Sequence, residues 1–414
     1  MRVLFVTWDA PELTYLESLF LPIFRELRRD GITTDILQFR WGDPALTEQV
    51  RRTCEEAGSG YRSVKILRGL GTAGILASAL AGAVAVHRAA THFGSDALMP
   101  RGFMPTVVTL AAGMSFLPPI IFDADGLPAD ERVDFAGMSP RSATYRVLRA
   151  AEARMVRASA SVIVRTERAR EILLSRANEG INGPQVTSDR FHVVTNGRDE
   201  RLFTPGDAAA RLQVRQELGI DPGSPLIVYA GSVGPQYRFE DMGAFVAAVQ
   251  RRRPDARLLV LSGSPEQARA ALAVSHPRLA EQATVMAVPP AEVPRYLASA
   301  DLGIAYRKTS FSTQAVAPIK LSEYLLCGLP VVGTAAIGDT RLAVEAGMFL
   351  DDQSGTEAAA AWFLDGILTD REAARNRARA TGVASFSISQ SAASYLRALQ
   401  SMKAATRTSR LSAA

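Results

Sequence analysis

The sequence predicts an α/β protein made of two Rossmann-like open parallel units. Three observations carry this. The chain has 414 residues, and at roughly 100–200 residues per domain that is too long for one ordinary core. Short apolar runs bounded by turn residues alternate with longer helical patterns, the mark of parallel α/β architecture. The alternation stops between residues 196 and 225, where Pro205-Gly206 and Asp221-Pro222-Gly223 punctuate a polar stretch, and then it restarts. The expected division is residues 1–200, residues 201–384, and a closing segment 385–414 with a helix that could return to the first unit and a frayed end.

In order, the expected strands of the first unit are VLFVTW (3–8), TDILQF (34–39), AVAVH (83–87), PIIFDA (119–124), SVIVRT (161–166) and FHVVTN (191–196). Those of the second are LIVYAG (226–231), RLLVLSG (257–263), TVMAV (284–288), LGIAY (302–306) and LPVVG (329–333). Between the first two strands, Leu16, Leu19, Phe20, Ile23, Phe24 and Leu27 form an i, i+3, i+4 stripe over a helix from Tyr15 to Arg29, closed by Gly31 as a C′ residue. A last helix is expected over Ser385–Met402.

Composition bounds the function. With 47% hydrophobic and 21% charged residues the chain is a folded protein, not a disordered one. A net charge of +5 favours anionic partners, but the arginines are scattered and no basic block with interleaved aromatics occurs, so nucleic acid is not expected. The two cysteines, Cys54 and Cys327, stand far apart with no metal-ligand spacing around them, which suggests neither a disulfide framework nor zinc, and fits a reducing compartment. The opening residues lack the pattern of a signal peptide, so none is expected and a cytoplasmic location is the expectation. Residues 66–86 are nearly long enough for a membrane span, yet Arg68 interrupts them and they are rich in Gly and Ala. They read as a buried helix followed by the strand AVAV, with a helix resting on a membrane surface as the intermediate case.

The segment VAPIKLSEYLLCGLPVVGT (316–334) carries the chemistry. A helix from about Pro318 to Cys327 projects Lys320 and Glu323 from one face. It follows a loop after the strand LGIAY, at the carboxyl edge where open α/β sheets bind ligands. The helix amino terminus and Lys320 suit a diphosphate, and Glu323 can accept hydrogen bonds from a ribose diol. On spacing alone a surface ion pair is the simpler account. The whole string shifts the balance, because Pro-Ile-Lys-Leu-Ser-Glu-Tyr followed by Gly-Leu-Pro-Val-Val resembles the nucleotide-sugar motif of GT-B glycosyltransferases close to glycosyltransferase family 4. ASADLGIAY (298–306), VTNGRDERLFTP (194–205) and FDADGLPADE (122–131) are similar to further segments of these enzymes. The resemblance implies a GT-B fold, in which two Rossmann-like domains face each other across a cleft, a nucleotide-sugar donor linked to UDP or GDP, a ribose-binding Glu323 and a diphosphate-facing Lys320. Two departures stand out: the family's Glu-x7-Glu lacks its first Glu, replaced by Ala315, and Asp125 replaces an Arg in the FDADG segment.

Further donor-site candidates follow. Gly231, Ser232 and Gly234 let backbone approach a phosphate, and Arg238 could bind it; a glycine turn feeding an amphipathic helix accounts for them equally. Val288 matches the place where the family's backbone meets the nucleobase. In the acceptor half His87, Asp123 and Asp125 stand at predicted strand ends, where each could act as general base, against the plainer roles of a structural His and loop-capping Asp residues. Asp123-Ala124-Asp125 is also an Asp-x-Asp, but the donor signature lies in the other half, so no required metal and no further cofactor are expected. The reading is a glycosyltransferase acting on a saccharide or lipid-linked acceptor in polysaccharide or glycoconjugate biosynthesis, with possible peripheral membrane association. A nucleotide-sugar epimerase of the same fold and a non-catalytic binding subunit are the alternatives. A dinucleotide oxidoreductase is disfavoured because no strand runs into Gly-x-Gly-x-x-Gly.

Overall fold

The structure is a computed structural model that describes residues 1–9, 15–66, 71–113, 116–338 and 340–412; side chains at 71–79 and 404–412 lie outside that description. The chain forms two compact units. Met1–Thr195, Phe311–Val316 and the residues from Ile388 on make the first, and Asn196–Ser310 with Ala317–Ser387 the second.

In the first unit the strands are β1 (Arg2–Trp8), β2 (Thr33–Arg40), β3 (Tyr61–Lys65), β4 (Ala97–Pro100), β5 (Ile121–Asp123), β6 (Ser161–Val164) and β7 (Phe191–Val193). They pair in parallel as β3-β2-β1-β4 and β5-β6-β7, and the parallel bridges Leu98↔Ile120 and Arg101↔Asp123 continue one set into the other. Short strands that are apolar on both faces require helices on both sides. The predicted stripe supplies one: Leu16, Leu19, Phe20, Ile23, Phe24 and Leu27 are all buried, and Gly31 at φ 72° ends that helix.

The second unit has one six-stranded parallel sheet, β10-β9-β8-β11-β12-β13, from β8 (Leu226–Ala230), β9 (Arg257–Leu261), β10 (Thr284–Met286), β11 (Leu302–Ala305), β12 (Val331–Gly333) and β13 (Phe349–Asp351). The order reverses between β8 and β11, a switch point of the kind where such sheets bind ligands.

Several expectations need correction. AVAVH (83–87) is not a strand but part of a helix, Gly71–Phe93. Gly82, Ala83, Val86, Ala89 and Ala90 are buried while Val84 and Arg88 are exposed, a helical spacing that an Ala/Val run hides by looking extended. Residues 67–70 of the apolar stretch, Arg68 among them, lie outside the described residues. β3, β4 and β13 were not expected. β3 has only half-buried and exposed residues, and the others are four and three residues long, too short or too polar for a periodic signal. The last helix is Ile388–Ser412, preceded by Arg371–Phe386, so it runs on through most of the segment expected to fray.

One short segment departs from simple chain order. Phe311–Val316 belongs to the first unit: the Ser312 amide donates to Asp134 Oδ2 at 2.8 Å, the Thr166 hydroxyl donates to the Gln314 carbonyl at 2.8 Å, and Ala315 is wholly buried in that unit's core. Both cysteines are buried free thiols.

Candidate functional site

The site forms where β8 ends and the helix Ile319–Leu326 begins. Pro318 sits at the amino-terminal cap in extended conformation, which fixes the entry to the helix without needing a donor. Leu321, Tyr324, Leu325 and Leu326 bury its other face, so Lys320 and Glu323 are turned toward the sheet's carboxyl edge. They do not form the surface ion pair that their spacing allows.

Glu323 is instead paired with Arg198, whose Nε lies 3.0 Å from Glu323 Oε1, with both side chains less than one-sixth exposed. The Arg198 guanidinium also covers the Phe203 ring at 4.8 Å. Burial pushes the Glu323 carboxyl up from its ordinary value, and the Arg198 charge opposes that. The pair opens on a cavity of about 270 Å³ whose walls include Gly231, Ser232, Ser262, Val288 and Glu323. Four residues singled out from the sequence therefore share one hollow: Gly231, Ser232, Val288 and Glu323.

Lys320 lies beneath Gly231. Gly231 has φ 151°, a conformation that favours glycine, and a Cβ there would come 2.9 Å from Lys320 Nζ and displace the movable end of that side chain. The ammonium is buried with no hydrogen-bond partner among the described residues, 4.1 Å from the Tyr229 ring centroid and 4.8 Å from that of Tyr237. Burial, then the nearby Arg307, hold its pKa down to about 7, with Glu323 pulling the other way. The Tyr229 hydroxyl donates to the Ser232 carbonyl at 2.6 Å, which fixes the turn after β8.

Arg238 departs from expectation. Its Nε is 2.7 Å from Asp241 Oδ2 and it also pairs with Asp352, so two carboxylates already occupy the guanidinium that was expected to meet phosphate. Arg198, Tyr229, Tyr237 and Arg307 were not singled out. The Asn-Gly-Arg of residues 196–198 was the available signal for the first, whereas the others depend on which strand ends are neighbours.

In the first unit Asp123 is fully buried. It receives Arg165 at 2.5 Å, Arg101 at 3.1 Å and the Tyr395 hydroxyl at 3.1 Å, an arrangement that ties the last helix to β5 and leaves the carboxylate no open face. Asp125 differs: its side chain is 44% exposed, with Arg101 at 2.6 Å. His87 is not at a strand end. It lies on the helix Gly71–Phe93 with Nε2 2.7 Å from the Ala112 carbonyl, a helix-to-helix tie. An open pocket of about 330 Å³ lies by the carboxyl ends of β2 and β3, with Arg40, Trp41, Tyr61 and Lys65 among its walls. Among the described residues no helix is long and apolar enough to cross a membrane.

Residues 224–365 match the family described as glycosyl transferases group 1. That match lies within the second unit, apart from Phe311–Val316. A D-inositol 3-phosphate glycosyltransferase of Xylanimonas cellulosilytica is 35% identical over 181 residues, 40% of this chain and 39% of that protein. The chain thus spans about two-fifths of the length of that curated relative. HepE of Anabaena, solved in complex with UDP, superposes with a TM-score of 0.67 at 16% identity, covering 97% of this chain and 100% of that one. A UDP-GlcNAc 2-epimerase of Neisseria meningitidis bound to UDP-GlcNAc gives a TM-score of 0.59 at 15% identity, with 97% and 100% covered. The fold shared with these structures is GT-B, with two Rossmann-like parallel units. The family's first motif Glu falls at Ala315, where a carboxylate would have to be buried in an apolar core. That departure is built into the packing of the first unit.

Proposed function

We propose that the protein transfers a sugar from a UDP-linked donor to a saccharide or lipid-linked acceptor in polysaccharide or glycoconjugate biosynthesis, with no required metal. The observation that carries the reading is the Glu323 carboxylate, braced by Arg198 and opening on the cavity bounded by Gly231 and Val288, with the Lys320 ammonium, unpaired among the described residues, under Gly231. A carboxylate that accepts from a ribose diol and a cation that meets a diphosphate are what a nucleotide sugar needs. In the transfer, the acceptor oxygen bonds to the anomeric carbon, the bond from that carbon to the diphosphate oxygen breaks, and the acceptor's proton passes to a carboxylate. Asp125 is the proposed base, since Asp123 and His87 are engaged in structure. Lys320 lowers the barrier by taking up negative charge that develops on the departing diphosphate.

The acceptor belongs to the first unit in this reading, and the pocket beside Trp41 and Lys65 is where a polar, ring-bearing molecule could sit. Leu80, Val84 and Phe116 are exposed apolar side chains of the same unit, which supports peripheral attachment at the cytoplasmic membrane face. Co-sedimentation with anionic liposomes at low salt tests that attachment, and protein left wholly in the supernatant would refute it. The central test is titration of the full chain with UDP, GDP and ADP, wild type against Glu323→Ala. UDP is expected to bind distinctly and the variant to lose it; equal or absent binding of all three would overturn the reading. Incubation with a bound nucleotide sugar and no acceptor should leave the sugar unchanged, whereas an epimer in the product would favour the epimerase alternative.

A further inference from the structure

We propose that Arg307 is the second cation, beside Lys320, for the dianionic diphosphate of the donor, an inference that rests on the reading of this unit as a nucleotide-sugar site. Arg307 follows β11 at the carboxyl edge of the six-stranded sheet. Its backbone is pinned there by an antiparallel bridge to Tyr237 and by its amide donating to Thr334 Oγ1 at 3.1 Å. The guanidinium carbon lies 5.4 Å from the Tyr237 ring centroid, and the Lys320 ammonium lies 4.8 Å from the same centroid. Two cations thus share one aromatic wall, and both border the same small cavity.

What marks the pair is the absence of a counter-charge. Among the described residues no carboxylate comes within ion-pairing distance of either group, and Arg307 Nε and Lys320 Nζ are both buried without an acceptor. The other arginines of the region are occupied: Arg198 by Glu323, Arg238 by Asp241 and Asp352. The faces of Tyr229 and Tyr237 offset part of the cost through cation–π attraction. They do not neutralise two positive charges, and a like-charge pair in a poorly hydrated place is costly until an anion arrives. A diphosphate brings two negative charges and acceptor oxygens for both donors at once. Gly231, lacking a Cβ over Lys320, leaves the way open from the larger cavity. Arg307 therefore takes the part that the sequence suggested for Arg238.

The test is calorimetric titration of the full chain with UDP, UMP and uridine. For wild type, UDP should bind at least tenfold more tightly than UMP. Arg307→Gln should cut UDP affinity about tenfold or more with little effect on uridine, and Arg238→Gln should cut it less. Arg307→Lys, which keeps a cation at the same strand end, should recover most of the loss. UDP binding by Arg307→Gln within twofold of wild type would overturn the proposal and leave the nucleotide-sugar reading standing. Equal loss of UDP and uridine in both Arg307 variants, with a lowered melting temperature, would overturn it in favour of a purely structural Arg307. A wild type that binds none of the three would instead remove the reading on which the proposal rests.

Discussion

Replacing Lys320 by methionine should stabilise the empty protein at acidic pH while destroying its grip on a nucleoside diphosphate. Methionine keeps an unbranched apolar stem against Tyr229 and Tyr237 and deletes only the buried charge. The ammonium's pKa is held from its ordinary 10.5 down to about 7. At about 1.4 kcal/mol per pH unit, that depression is worth up to about 5 kcal/mol of destabilisation in the charged form, and relaxation around a partly exposed residue reduces it to about 2 kcal/mol. The sign follows from linkage. Between pH 7 and 10.5 the unfolded chain holds a proton that the folded protein has released, so wild-type stability gained from this group rises with pH across that window. The advantage of Lys320→Met should therefore be full below about pH 7 and fade towards pH 10.5. For a unit of this size about 2 kcal/mol corresponds to a melting temperature roughly 4–8 °C higher. Thermal denaturation followed by circular dichroism from pH 5.5 to 10, with and without UDP, reads both effects. A variant that melts lower than wild type at pH 6, or one that keeps the UDP-induced rise in melting temperature, would refute the reasoning.

Glu323→Gln preserves shape but removes the charge that Arg198 balances, so UDP affinity should drop about tenfold or more, consistent with ~1.5–3 kcal/mol for a charged hydrogen bond; a calorimetric titration indistinguishable from wild type would count against the diol assignment. Gly231→Ala puts a Cβ 2.9 Å from Lys320 Nζ at a φ that other residues avoid, and should lower stability by about 1–3 kcal/mol together with UDP affinity, as read by melting curves in both states. Asp123→Asn strips the charge from a carboxylate between Arg165 and Arg101 and should cost about 3–5 kcal/mol of stability. The companion Asp125→Asn should leave melting almost unchanged and slow turnover, so the pair separates a structural carboxylate from the proposed base.

Long apolar runs and the donor-helix string made most of the architecture legible before any coordinates. LIVYA is buried in every residue and RLLVL in all but its first, Arg257, and the string around Lys320 and Glu323 encodes a helix start, an inward face and a turn into β12. The misreadings share a cause. AVAVH is apolar at every position, so its composition cannot tell an extended run from one face of a long helix, and only the burial of Val86 and Ala89 against exposure of Val84 reveals the period. Arg238 looked like a phosphate ligand because it follows the glycines after β8; Asp352, more than a hundred residues later, takes it up, and no local pattern announces that. Arg307 and Tyr237 become partners only because β8 and β11 are neighbours in the sheet, a fact of topology rather than spacing.

The mooring of Phe311–Val316 has a practical meaning for anyone cutting this gene. Because a six-residue piece of the first unit interrupts the second, neither unit is a contiguous stretch of polypeptide. A fragment expressed from Asn196 to Ser387 would carry Ala315 and its neighbours stripped of their surroundings, just ahead of the helix that bears Lys320. A clean isolated second unit calls for a redesigned bridge from Ser310 to Ala317, not merely two well-chosen ends.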